Sequence, residues 1–166
     1  MRLFDAGRDV RTIGRMLTAA EAEARRAGVE RPGPEHLVLA AAALPDGTAA
    51  RALARVGVDA HRLRDAVEAV HRNALPAVGV DVQGEVHDTS PLRAPVRMAL
   101  QSTPQAQQVF QDAVALSKER RPARLRGADI LAAACRLERG TFVRALDTLG
   151  VDRAALATAA AATESR

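Results

Sequence analysis

Gly57-Val58-Asp59, with Leu63 four residues on, returns as Gly150-Val151-Asp152 with Leu156. Each pair is separated by 93 positions, and that offset holds without a gap through the surrounding chain. Of the twenty positions from Leu44 to Leu63, ten are identical to their partners, among them Gly47/Gly140, Thr48/Thr141, Arg51/Arg144 and Leu53/Leu146. Alanine richness alone does not align glycine, threonine and aspartate in register. The chain is a duplicated unit, and its organisation follows from what the copies share and where they part.

Working outward, the repeated phrase has a mechanical meaning. Gly57 and Gly150 stand where a helix stops in a left-handed conformation that costs glycine little; valine anchors the turn, and aspartate caps the next helix. Upstream, Ile13, Met16, Leu17, Ala20 and Ala24 recur at spacings of three and four, which predicts an amphipathic helix from a cap at Asp9 to a stop near Gly28. Two prolines around Gly33 constrain the following loop. Pro34 and Glu35 then open a second helix, where proline loses no hydrogen bond and a carboxylate meets unpaired amides. Pro45-Asp46-Gly47 breaks it, and Thr48 is expected to cap a third helix facing inward through Ala49, Ala50, Leu53 and Val56. Asp59 starts the fourth, carrying Leu63, Val67 and Val70.

The segment 74–102 holds Pro76, Gly79, Gly84, Pro91 and Pro95 among alternating valines and matches nothing in either copy. It reads as a long irregular linker, with a short helical turn around Val96 to Leu100 in preference to a hairpin through Val78, Val80 and Val82. Thr103-Pro104 restarts the pattern. The expected architecture is all-α: two pseudo-symmetric four-helix repeats, 9–73 and 103–163, eight helices packed as one domain of 1–166.

Charge and composition exclude much. With 24 basic and 20 acidic residues the formal charge is +4, a balance suited to solubility. Tyrosine and tryptophan are absent, which weakens any role that stacks on bases or sugars. Lys118 is the single lysine, so no phosphate loop of the G-x-x-x-x-G-K-[ST] type exists, and no G-x-S-x-G nucleophile elbow is present either. Cys135, the lone cysteine, has Ala42 as its counterpart and reads as an inert core thiol. His36, His61, His71 and His87 form no metal-binding spacing. Catalysis, cofactor and metal are therefore not expected, and neither a secretory signal nor a membrane span is seen, which points to the cytoplasm. A loop with Arg120, Arg121, Arg124 and Arg126 forms a basic surface. Its alternative uses are a solvated helix end, protein docking or nucleic-acid binding, the last disfavoured by flanking Glu119 and Asp129.

Three stretches carry a resemblance to a known family. Gly33-Pro34-Glu35-His36-Leu37-Val38-Leu39, Asp46-Gly47-Thr48-Ala49-Ala50-Arg51-Ala52-Leu53 and Val56-Gly57-Val58-Asp59 together resemble the Clp N-terminal domain, the double four-helix repeat that precedes the ATPase modules of Clp chaperones. Ser102-Thr103-Pro104-Gln105-Ala106 is similar to the family's opening of its second repeat. The resemblance implies a non-catalytic module that binds protein partners: Clp components, adaptors or substrates. It also implies a free-standing bacterial adaptor, decoy or regulator, able to take up small molecules that target such domains; separately, the chain is expected to be monomeric or weakly associating, and Phe4 is a candidate contributor to a ligand pocket. In some members the glutamate matching Glu35 helps recognise phosphorylated arginine, which makes Glu35, His36 and Asp129 the expected docking residues. The second copy departs from that motif, with Ala128 in the place of Glu35 and Asp129 in the place of His36. Two further readings stand beside this one: a small helical nucleic-acid regulator using Arg120 to Arg126, and a structural, self-associating protein.

Overall fold

The computed structural model describes residues 2–74 and 102–163, with side chains from Asp9 onward. Eight α-helices account for these residues: α1 (Arg2–Arg26), α2 (Pro34–Ala42), α3 (Thr48–Arg55), α4 (Ala60–Ala74), α5 (Pro104–Lys118), α6 (Gly127–Ala134), α7 (Thr141–Leu149) and α8 (Arg153–Ala161). No strand occurs among them. The starts of α2, α3 and α4 lie 93 positions before those of α6, α7 and α8, so the offset seen in sequence is a structural equivalence.

The two copies interlock. α2 and α6 cross at the centre, with α1 lying on α2 and α5 on α6. Each fourth helix then reaches across: α4 packs on α7 of the other copy, and α8 on α3. Every residue of α2 from Pro34 to Ala42 is buried, as are seven residues of α6 including Ile130 and Leu131. A short helix that is apolar all round belongs inside, with amphipathic helices as its coat. Small side chains let the central pair come close. A Cβ placed on Gly127 would lie 2.7 Å from the Ala41 carbonyl oxygen and 3.0 Å from the Ala49 Cβ.

The punctuation follows the sequence in most places. Gly28, Gly57 and Gly150 take positive φ of 69°, 75° and 67° at helix ends. Asp59 accepts the Arg62 amide at 2.8 Å, Asp152 the Ala154 amide at 2.9 Å, and Thr103 the Ala106 amide at 3.2 Å. Three expectations differ. α1 begins at Arg2 and runs through Asp9: no proline stands before it, and the lone Gly7 weakens the helix without ending it. Ala50 is exposed; the inward face of α3 is Ala49, Ala52 and Leu53, one step of the helical wheel away. Thr48 is the first residue of α3 rather than its cap, and Gly47 precedes it at φ 62°. The expected turn at Val96 to Leu100 and the alternative hairpin at Val78 to Val82 lie outside the described residues, as does the side chain of Phe4.

The close crossing gives a paired test. Gly127→Ala should lower stability by about 1–3 kcal/mol, since backbone on the facing helix cannot yield as a side chain can. Gly14→Ala, in mid-α1 with nothing within 4 Å of the new Cβ, should raise it by about 0.5–1 kcal/mol. Urea unfolding of the two variants measures both.

Candidate functional site

The first turn of a buried helix leaves amide donors without partners, and the two central helices solve this differently. At α2, Pro34 removes one donor. The Gly33 amide donates to His36 Nδ1 at 2.9 Å, one turn further on. His36 is 1% exposed. The bond leaves Nδ1 unprotonated and puts the ring proton on Nε2, which is buried without a partner. Glu35 folds back over Gly33, where an added Cβ would meet its carboxylate at 2.6 Å and the Glu35 side chain would have to shift.

Glu35 is itself buried, 3.4 Å from His71 Nε2 on α4 and 3.4 Å from His36 Nδ1. Burial pushes its carboxyl group up, but His71 and His36 outweigh this and hold it below the usual carboxylate range. Burial also depresses the His36 imidazole, against the pull of Glu35. Beside them Arg64 of α4 forks onto Glu23 of α1 through bonds of 3.0 and 2.7 Å, and this guanidinium keeps Glu23 ionised. His71 is thus the partner that sequence spacing could not supply, because it lies on a different helix. His61 is far more exposed and faces Asp65.

Glu35, His36 and His71 bring one donor atom each within 4.8 Å of one another, the only such group among the described residues. As a cation site they fit poorly. The His36 Nδ1 lone pair is committed to the Gly33 amide, and a metal on that nitrogen would have to displace the helix cap.

At α6 the same register carries a carboxylate. Asp129 accepts the Arg126 amide at 2.9 Å, as His36 accepts that of Gly33. It also takes Arg120 at 2.6 Å and Arg126 at 3.3 Å, and it is 3% exposed. Arg120 further donates to the carbonyls of Leu116 and Arg124, and Arg126 to that of Thr163. Two of the four loop arginines are therefore turned onto Asp129, while Arg121 is exposed and Arg124 half-buried. The next amides of α6 are capped from the other copy. Gly127 donates to Asp46 at 3.0 Å and Ala128 to the Thr48 hydroxyl at 2.8 Å, while that hydroxyl donates to Asp46 at 2.7 Å. Thr48 caps a helix eighty residues away.

The described residues also leave an apolar cavity of about 270 Å³ between α1, the start of α2 and α5. Its apolar walls are Ile13, Leu17, Leu37, Ala106 and Phe110, and Ser102, Gln107 and Gln111 complete the lining. A larger cleft of about 370 Å³ lies near Arg11, Arg15 and the loop before α6. Cys135 is buried, and desolvation pushes its thiol up to about 12, so no thiolate nucleophile exists here at neutral pH.

Two outcomes follow. A thiol reagent at pH 8 should leave Cys135 unmodified in the folded protein and label it fully in denaturant, read by mass spectrometry. Thr48→Val, which keeps the shape but strands the buried Ala128 amide, should cost about 1–3 kcal/mol in urea unfolding.

The family model described as "Clp repeat (R) N-terminal domain" matches residues 11–101, more than half of the chain. Among solved structures, the fold is similar to the N-terminal domain of the caseinolytic protease associated chaperone ClpD from Arabidopsis thaliana. The identity is 21%, with 93% of this chain and 90% of that chain covered and a TM-score of 0.59. No curated protein is significantly similar. With the matched first copy, the helical repeat and the shared fold in agreement, this chain belongs to the Clp N-terminal domain family.

Proposed function

We propose that this chain is a protein-docking module of Clp-dependent proteolysis, acting as an adaptor, decoy or regulator, and that its partner engages the apolar cavity between α1, α2 and α5. The observation that carries this reading is the cavity itself. Ile13, Leu17, Leu37, Ala106 and Phe110 form an apolar socket sized for one or two side chains, and Gln111 supplies a side-chain amide for a partner's backbone, that of Gln107 already donating to the Ser102 carbonyl. It lies on a body of this family, beside the α2 opening.

In this reading Glu35, His36 and Asp129 hold the two helix openings in shape, and contact falls next to them. A guanidinium seeking Glu35 would have to displace His71, and one seeking Asp129 would have to displace Arg120. Arginine-phosphorylated peptides are therefore expected to bind weakly. Nucleic-acid binding through the Arg120 loop gains no support, since Arg120 and Arg126 are ion-paired. In this reading the chain works in the cytoplasm.

Purified Clp ATPase subunits and their adaptors supply the test, with binding read by calorimetry. Ile13→Asp, at a half-buried wall position, should weaken binding about tenfold or more, the scale of a lost anchor, while circular dichroism stays unchanged. Equal affinity in a folded variant would remove the cavity from the account. In a Clp degradation assay, acceleration by the chain identifies an adaptor and inhibition a decoy. ATP hydrolysis by the chain itself would contradict a docking role.

A further inference from the structure

The His36 cap holds more than its own helix. Gly33 donates to His36 Nδ1, and the carbonyl of Pro32, one residue earlier, accepts the amide of Thr103 at 3.0 Å. The α1–α2 loop is thus fastened on one side to α2 and on the other to the residue that caps α5. Both ties depend on the loop keeping its shape, and the first depends on an unprotonated ring nitrogen.

Around that nitrogen stand Glu35 from α2 itself, His71 from α4 and Glu23 from α1, the last held by Arg64 of α4. The nearest charged acceptor is the Glu35 carboxylate, 3.4 Å from Nδ1. When Nδ1 is bare it accepts from Gly33. When it is protonated it presents N–H to N–H at Gly33, and its only favourable partner is Glu35. Both hydrogen bonds cannot exist together, and the ring is too buried to turn to water.

We propose that His36 is a proton-operated latch: in its neutral form it fastens the α1–α2 loop to α2, and on protonation it transfers its hydrogen bond to Glu35 and frees the Gly33 amide, loosening the loop and its tie to Thr103. The latch is independent of what docks in the neighbouring cavity. Burial holds the His36 imidazole below its ordinary 6.5, so the unfastened state binds more protons than the fastened one. The latch is therefore firm where His36 is neutral, weakens as pH falls, and stops weakening once the depressed value of the fastened ring is passed. Glu35 stays ionised through this window, because its own value lies below 4.5.

Nuclear magnetic resonance on the full chain reads the latch directly. At pH 7.5 the His36 ring should be the Nε2–H tautomer by its nitrogen shifts; an Nδ1–H tautomer would overturn the proposal without any variant. Between pH 6.5 and 5.5, protection of the Gly33 amide, corrected for intrinsic exchange, should fall by up to about tenfold, the linkage limit for one proton. His36→Gln retains an acceptor at the same helical position without titrating, and it should keep Gly33 protected and insensitive to pH. An equal loss in His36→Gln, or full Gly33 protection while His36 titrates, refutes the latch. His71→Gln should preserve the response; if it abolishes it, His71 is the sensor and the assignment to His36 is wrong.

Discussion

The crossing of α2 and α6 sets the conditions for everything else in this molecule. Two short apolar helices can meet at the centre only if their side chains are small and their polar ends are satisfied away from water. Alanines meet the first need, and Gly127 lets α6 rest against the Ala41 carbonyl. The second need cannot be met by solvent, since Gly33 to Ala42 and Gly127 to Leu131 are all buried. Each buried amide must find a protein acceptor, and the polar side chains of the two openings are explained by that demand.

The copies answer it with different chemistry at equivalent positions. α2 uses proline and a histidine, and balances the histidine with Glu35 and His71. α6 uses an aspartate, and that charge draws in Arg120 and Arg126. Because Gly127 keeps the amide that Pro34 eliminates at the equivalent position, and Ala128 has no carboxylate of its own where Glu35 stands, α6 also borrows Asp46 and Thr48 from the first copy. The borrowed cap runs one way only: Arg139, in the place of Asp46, carries no acceptor on its side chain. Duplication thus preserved the scaffold while the helix openings diverged.

This economy bears on function. The charged residues of the motif are spent on internal partners, so the surface near them is less polar than its sequence implies. Among the described residues the apolar socket lies between α1, α2 and α5, where three helices meet over Leu37, and the proposed binding is placed there. The fastening of the α1–α2 loop to Thr103 places that socket next to a junction held by single hydrogen bonds.

Much of the fold was readable before any coordinates. Glycine before a repeated aspartate marks a stop and a start, because left-handed backbone and an acceptor at the first turn are local requirements, and Gly57, Asp59, Gly150 and Asp152 meet them as read. Where local rules are silent or ambiguous, the structure departs from them: α1 runs through Asp9 instead of being capped by it, and the face of α3 lies one step from Ala50. The partners of Thr48, Glu35 and Asp129 could come only from tertiary structure. Helix periodicity fixes which residues share a face, but the interlocking of α4 with α7 and α8 with α3 decides which distant side chain fills a given gap. His71 meets Glu35, and Thr48 meets Ala128, because buried donors and acceptors must pair across whatever contact the packing makes.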